Sequence, residues 1–313
     1  MNPFDENPPA APGPGESASP PSEQPVDSAP SIPIQELPGD PMSYAATSPI
    51  SPPLPEAKYP PDLQITWSWA HFIIFLFFGF MSLILVQGVL AIHYAPHERL
   101  SRTQMEQYLL SKPQFVLGSM VIWYALIFFF LFITLSVLRG HDFWECLGWR
   151  KIKSFNAGPP KSPLFFFFCG AGLSLFVAVL SSRLKPPENT PVEELFKYRE
   201  TALLFIGMAV LIAPLVEETL FRGYLYPLFA RSFGVWPGIV LTGVLFGLMH
   251  GAQLGWTWSL VSVLVTVGII FTIVRSKTGS VFASFMMHLG YNSLISIAAL
   301  IGTHGFTKLP PGH

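Results

Sequence analysis

The apolar residues of the chain are concentrated after Trp67, where long apolar runs alternate with short polar connections. A helix rises 1.5 Å per residue, so about 20 apolar residues cross a hydrocarbon core about 30 Å thick. Seven runs approach or exceed this length, the third and fifth being short: Trp67–Ile92, Phe115–Leu138, Leu164–Ser182, Ala202–Phe229, Val235–His250, Leu254–Val274 and Val281–Gly302. The pattern therefore predicts an all-α, polytopic membrane helix bundle of about seven transmembrane helices.

The first 62 residues have a different composition and are predicted to form a disordered tail. This segment holds 18 of the 31 prolines, and it has nine carboxylates but one base, Lys58. Such a segment cannot bury enough apolar surface to offset the entropy lost on ordering. Pro49 and Pro52 match the spacing of a polyproline ligand, although so many prolines produce such matches by chance. We therefore divide the chain into a tail, residues 1–62, and a transmembrane domain, residues 63–313.

Composition and charge exclude several other classes of protein. Half of the residues are apolar and only 12% are charged, whereas about 25% are charged in soluble domains. The bases lie in the connections between apolar runs and form no stripe that could track nucleic-acid phosphates. The two cysteines, Cys146 and Cys169, lack the spacing of metal ligands and the density of a disulfide framework. We expect no nucleic-acid partner and no redox chemistry.

The positive-inside rule hardly distinguishes a cytoplasmic from an external N-terminus, because the connections on the two sides of the membrane carry nearly equal numbers of lysines and arginines. Moving a long acidic tail across the membrane without a signal peptide is less favourable than leaving it in the cytoplasm. We therefore expect an integral, multi-pass protein of the plasma (inner) membrane with a cytoplasmic tail, in contact with membrane lipid. The oligomeric state stays open.

Ionisable residues inside a membrane span are costly and usually functional. The predicted spans contain two carboxylates, Glu217 and Glu218, with Arg222 just after them, while His250 ends the fifth span and His288 lies inside the seventh. The other histidines are placed at or outside the span ends, where an interfacial histidine is unremarkable: His71, His93, His97, His141, His304 and His313.

The spacing of these residues predicts different roles for the two carboxylates. Glu218 and Arg222 are four residues apart, so they can pair along one helix face, whereas Glu217 points about 100° away. Glu217 then faces the bundle interior, as suits a general base. Pro214 cannot donate to the helix ladder, so it should loosen the span beside the carboxylates and admit water. A purely structural Glu218–Arg222 pair is the alternative, but it leaves Glu217 unexplained.

His288 and Asn292 are also four residues apart and share a helix face. An imidazole beside an amide offers two donors to an oxyanion, and it is equally suited to an interhelical polar clasp. His250 considered alone is more often a packing group than a catalyst. Taken together, however, these residues are nearly all of the deep polar groups in the predicted spans, and three helices supply them.

Three ordered motifs resemble those of the CAAX prenyl endopeptidase and bacteriocin-processing intramembrane proteases, the CPBP family. The motif EExxxR runs from Glu217 to Arg222, FxxxH from Phe246 to His250, and HxxxN from His288 to Asn292. Each lies in an apolar helix, and the set places a protease core at about residues 202–302.

The resemblance implies an intramembrane endopeptidase whose site lies in a cavity open to the lipid and to one aqueous face. By motif position, Glu217 with His250 would activate the attacking water, and Glu218 with Arg222 would support that arrangement. His288 and Asn292 would stabilise the tetrahedral oxyanion. The substrate would be membrane-anchored: a prenylated CAAX-type protein, a peptide precursor or a regulator.

A metalloprotease mechanism is a second possibility, because two histidines and a glutamate can bind zinc with a fourth position open to water. The ligands would be Glu217, His250 and His288. The chain has no HExxH helix, however, and the three residues come from separate helices. We therefore favour a glutamate mechanism without a metal or other cofactor.

Two further classes of function remain compatible with buried polar groups. A proton-coupled transporter would use them as a relay, and it would be expected to repeat them in both halves of the chain, which this sequence does not do. A non-catalytic membrane scaffold would not depend on Glu217 at all.

Overall fold

The computed structural model describes residues 59–152, 162–183, 196 and 198–307. The predicted disorder of residues 1–58 and the polyproline spacing of Pro49 and Pro52 lie outside the described residues, so both stay predictions. Residues 59–62, which composition places in the tail, are described.

Regular secondary structure in the described ranges is entirely helical. A short 3-10 turn, Pro61–Leu63, precedes nine helices in these ranges. They are α1 Trp69–Tyr94, α2 Arg102–Leu110, α3 Pro113–Val137, α4 Phe143–Cys146, α5 Pro163–Ser181, α6 Arg199–Phe233, α7 Val235–Met249, α8 Trp258–Thr278 and α9 Val281–Gly302.

Six of these helices are long and apolar enough to cross a membrane: α1, α3, α5, α6, α8 and α9. The shorter apolar helix α7 is the seventh, which confirms the predicted all-α, multi-pass bundle. The predicted sixth span began at Leu254, whereas α8 begins at Trp258. Gly255 and Trp256 both have positive φ, 56° and 55° respectively, so the chain turns there instead of continuing as a helix.

The outer faces of the helices are strongly apolar. Side chains such as Phe77, Leu85 and Phe176 are exposed by 60% or more. Contiguous apolar surface of this kind is unusual in a soluble monomer and matches contact with lipid. The chain is therefore an integral membrane protein that contacts membrane lipid through these faces.

Glycines set the closest helix crossing, between α5 and α9. A Cβ at Gly170 would lie 1.8 Å from the backbone oxygen of Met287, and a Cβ at Gly290 would lie 1.9 Å from that of Phe167. Only glycine permits such an approach. The crossing fixes the position of α9 directly beside His288.

A buried histidine joins three helices on the other side of the bundle. Tyr224 of α6 donates its hydroxyl to His71 Nδ1 of α1 over 2.7 Å, and His71 Nε2 lies 2.9 Å from Thr134 Oγ1 of α3. Thr134 uses its only hydroxyl proton on the Phe130 carbonyl, so the Nε2 hydrogen of His71 donates to it. His71, the third residue of α1, is therefore a buried packing group near the end of this span.

The segment before α1 packs against the transmembrane domain. Asp62 Oδ2 lies 3.5 Å from Arg275 Nη1 of α8, and Trp67 Nε1 donates to the Tyr224 carbonyl over 3.2 Å. Leu63 and Trp67 are both buried. Residues 59–68 thus pack on the bundle and precede α1 without a break.

Candidate active site

Helix α6 carries the two glutamates at an irregular part of its length. Two π-helical segments, Met208–Ile212 and Glu218–Leu225, flank a short α-helical segment that contains Pro214 and ends at Glu217. Wider turns of this kind occur where the regular hydrogen-bond ladder is interrupted, and they are frequent at functional sites. The loosening predicted from Pro214 is therefore present beside the carboxylates.

Glu218 lies at the centre of a fully buried network. Its Oε1 atom accepts from Arg222 Nη1 over 2.9 Å and lies 2.9 Å from His288 Nδ1 of α9. Arg222 Nη2 donates in turn to the Gly268 carbonyl of α8 over 3.0 Å. The expected Glu218–Arg222 pair is thus part of a network that also includes α8 and α9. This network fixes the orientation of the His288 ring.

Two aromatic rings enclose the Arg222 guanidinium. Its central carbon lies 4.4 Å from the ring centroid of Phe246 and 5.3 Å from that of Phe271. A desolvated cation gains from such ring faces in addition to its ion pair. Phe246, the first residue of the FxxxH motif, therefore supports the same network as the EExxxR motif.

Glu217 has very different surroundings, although it is adjacent to Glu218 in sequence. Its Oε2 atom is buried and makes no hydrogen bond to any described residue. Two imidazole nitrogens face it: His250 Nε2 at 3.8 Å and His288 Nε2 at 3.9 Å. These distances are too long for direct hydrogen bonds. The carboxylate is thus aimed at the space between the two rings.

The other ring nitrogens define the hydrogen-bonding state of both histidines. His250 Nδ1 lies 2.8 Å from the Phe246 carbonyl, which can only accept, so this nitrogen carries the proton. His288 Nδ1 faces the Glu218 carboxylate. Both rings therefore direct Nε2 towards Glu217.

Asn292 lines the same cavity but is already partly engaged. Its side-chain Nδ2 donates to the Ala209 carbonyl of α6 over 2.7 Å, within the first π-helical segment. An amide nitrogen has two hydrogens, so one stays free to donate elsewhere. The residue combines the interhelical clasp expected from the sequence with a remaining donor.

Four side chains of this site line a cavity of about 270 Å³. Glu217, His250, His288 and Asn292 all line it, whereas Glu218 and Arg222 lie behind the wall. Most of the remaining lining is apolar and comes from α3, α6, α8 and α9: Met120, Phe205, Ile206, Met208, Leu264, Val267 and Ile295.

Four polar residues of the cavity wall were missed by the sequence reasoning: Tyr124, Gln253, Tyr291 and Ser296. Tyr124 is the sole titratable residue of α3, and that isolation in an apolar helix was an available signal. Gln253 lies in the turn after His250, and no pattern in the sequence singles it out.

The spacing of the donors in this site differs from that of a metal site. Within the part of the chain that the structure describes, no group of three or more His, Cys, Asp or Glu side chains is arranged to hold a metal ion. The oxygen–nitrogen separations of 3.8 and 3.9 Å around Glu217 are wide for ligands that share one zinc ion at about 2 Å each.

The fold and the site define a multi-pass helical membrane protein with an acid–base cluster at an internal cavity. Residues 199–294 match the family model for the Rce1-like type II CAAX prenyl endopeptidases. The UPF0177 protein YbdI of Lactococcus lactis subsp. lactis (strain IL1403) is 31% identical over 144 residues, which cover 44% of this chain and 75% of that protein. No solved structure matches the chain.

The chain belongs to the Rce1-like CAAX prenyl endopeptidase family, as the three motifs indicate. The matched segment contains all six of the motif residues identified from the sequence: Glu217, Glu218, Arg222, His250, His288 and Asn292. The family supports a hydrolase of the intramembrane CAAX-type protease class.

Proposed function

We propose that the protein is an intramembrane endopeptidase in which Glu217 activates the attacking water. One observation carries the proposal. Glu217 Oε2 is buried without a partner among the described residues, and two imidazole nitrogens lie just beyond hydrogen-bond distance of it in the cavity. A buried acceptor with polar neighbours at this spacing is a suitable place for a water molecule.

The hydrolysis then proceeds in two steps. The water oxygen attacks the carbonyl carbon of the scissile peptide bond, and its proton passes to Glu217. The tetrahedral intermediate breaks its C–N bond, and the proton moves to the departing amine. His250 holds the water through Nε2, because its Nδ1 is committed to the Phe246 carbonyl. This is general base catalysis followed by general acid catalysis by one carboxyl group.

His288 and Asn292 are placed to stabilise the oxyanion. Glu218 orients His288 through Nδ1, so a protonated ring presents Nε2–H to the cavity. The free amide hydrogen of Asn292 is the second donor.

We further propose that the site works without a resident metal. The wide spacing of the donors around Glu217 supports this proposal. A prolonged treatment with a zinc chelator should leave cleavage unchanged. Loss of cleavage that added zinc restores would replace this mechanism with a metalloprotease mechanism.

The substrate class follows from the cavity and from the surrounding membrane. Its wall is mainly apolar, so it suits a peptide delivered next to a lipid anchor or an apolar segment. We propose a membrane-anchored substrate, with a prenylated CAAX-type C-terminus tested first and an unprenylated peptide precursor second. A plasma (inner) membrane location with the tail in the cytoplasm belongs to the same proposal.

The purified full chain in detergent tests this function. Matched farnesylated and unprenylated C-terminal peptides would be incubated with it, and mass spectrometry would locate any cleaved bond. Glu217→Ala is the control, and it should retain the folded yield of the wild type. Cleavage that is absent from the control supports the endopeptidase, whereas equal cleavage by both proteins rejects Glu217 as the base. No cleavage of any peptide would favour a transporter or scaffold.

A further inference from the structure

Tyr124 of α3 is a polar residue of the cavity that the mechanism above does not use. It and Met120 lie one helical turn apart, and both contribute to the wall that also contains Glu217 and His288. Helix α3 lies outside the family match at residues 199–294. The residue therefore adds to the site from a part of the chain that carries none of the three motifs.

The hydroxyl of Tyr124 is an uncommitted donor. It makes no hydrogen bond to any residue of the described part of the chain, and it lines the same cavity as Glu217. Tyr291, the other tyrosine of the wall, is buried and packs in the core of the bundle, where its ring lies against that of Phe271 with centroids 6.0 Å apart. A phenol hydroxyl that lines a cavity without a protein partner keeps its hydrogen for a ligand that binds there.

His288 and Asn292, the donors already assigned to the oxyanion, each offer it at most one hydrogen bond. Asn292 spends one of its two amide hydrogens on the Ala209 carbonyl. His288 donates from Nδ1 to Glu218, so it can donate from Nε2 only when the ring is protonated. A phenol, in contrast, donates whatever the protonation state of His288.

We propose that Tyr124 is a further catalytic residue, whose hydroxyl donates a hydrogen bond to the oxyanion of the tetrahedral intermediate. No proton is transferred in this role: the O–H bond is retained while negative charge builds up on the substrate oxygen and then returns to the carbonyl. The assignment rests on the proposed endopeptidase function. It gives α3 a part in the chemistry as well as in the packing of the bundle.

Tyr124→Phe in the full chain is the direct test, because it removes only the hydroxyl. We expect kcat to fall about 10²-fold, the usual effect of losing one oxyanion donor, while KM stays within about twofold. Tyr94→Phe, at the end of α1 and outside the cavity, is the matched control and should retain wild-type kcat. Thermal unfolding of both variants should follow the wild type.

Binding of a peptide phosphonate provides a second measurement. This probe has the sequence of the cleaved peptide and an anionic tetrahedral phosphorus at the scissile position. Tyr124→Phe should weaken its inhibition by about the same factor as kcat, because only the transition state and its analogue carry the charge.

The outcomes separate the two proposals. If the wild type cleaves peptide and Tyr124→Phe keeps kcat within about twofold, the role of Tyr124 is rejected and the endopeptidase stands. A fall in kcat with unchanged phosphonate inhibition also rejects oxyanion contact. If the wild type neither cleaves any peptide nor binds the phosphonate, the proposed function fails and the role of Tyr124 fails with it.

Discussion

Glu217 and Glu218 are neighbours in sequence with opposite surroundings. Glu218 is completely buried and is bonded to Arg222 and His288. Glu217 borders the cavity, and its carboxylate forms no hydrogen bond to a described residue, whereas Oε1 of Glu218 has two partners. A buried charge is tolerated when it is paired, and an unpaired one is costly. The difference supports the proposed division of roles, in which Glu218 orients His288 and Glu217 acts as the general base.

Substituting each glutamate by glutamine should separate these roles. Glu217→Gln should reduce cleavage by about 10²–10⁴-fold, the contribution of a general base, with an unchanged or higher unfolding midpoint. Glu218→Gln should lower the midpoint as well as the activity, because Arg222 and His288 would lose their shared counter-charge. Peptide cleavage and thermal unfolding of the detergent-solubilised protein measure both effects. Equal loss of stability in the two variants would contradict the assignment.

Cys146 is a second residue whose surroundings predict its chemistry. Burial, with a smaller effect from Asp142, raises the pKa of its thiol to about 11. Because only the thiolate reacts, alkylation at pH 7 should be slow, and its rate should rise about tenfold per pH unit up to pH 10.

Iodoacetamide labelling of a Cys169→Ser variant, followed by mass spectrometry, tests the environment of Cys146. The rate of an ordinary exposed thiol levels off near pH 9, so a denatured sample serves as the reference. A plateau at the same pH in the folded and denatured samples would show that the Cys146 thiol is not shielded from water.

Helices α5 and α9 show how packing positions the site. Gly170 and Gly290 allow their backbones to touch, and His288 lies beside this crossing on α9. A side chain there would have to displace backbone atoms, which cannot move as a flexible side chain does. The crossing therefore determines where His288 and Asn292 lie relative to α6.

Gly170→Ala should destabilise the protein by about 1–3 kcal/mol and reduce cleavage, because the added methyl overlaps the Met287 carbonyl. Gly172→Ala, two residues along α5, is the matched control, since a Cβ there meets nothing within 4 Å. It should be neutral or slightly stabilising, because alanine favours helix over glycine. Unfolding midpoints of the two variants in the same detergent provide the comparison. Identical midpoints would mean that α5 moves to accommodate the methyl group without a loss of stability.

The described chain begins with a segment that is fastened to the bundle. Asp62 pairs with Arg275, and Leu63 and Trp67 are buried. Asp62, which composition assigned to the tail, therefore contacts the transmembrane domain, and the boundary after residue 62 stays a prediction.

Two truncations test this boundary. A chain that starts at residue 59 should retain peptide cleavage and its unfolding midpoint. A chain that starts at residue 69 should unfold at a lower temperature, because it loses buried Trp67, whose truncation to alanine alone would cost about 3–5 kcal/mol. Thermal unfolding and peptide cleavage of both chains are the measurements. Equal stability of the two would show that residues 59–68 do not contribute.

The sequence was sufficient to predict the helical membrane architecture and the six motif residues. Both depend on local information: the length of apolar runs, and the high cost of placing an ionisable group within them. The spacing of four residues also predicted the Glu218–Arg222 pair, because a regular helix brings such residues to one face.

The contacts between helices depended on tertiary structure. Helices that are apolar on every side offer no polar face from which their rotation can be inferred. The burial of His71, the bond between His288 and Glu218 and the presence of Tyr124 in the cavity all result from such rotations. The length of the apolar runs identifies which segments enter the membrane, whereas the packing of the helices decides which side chains contact one another.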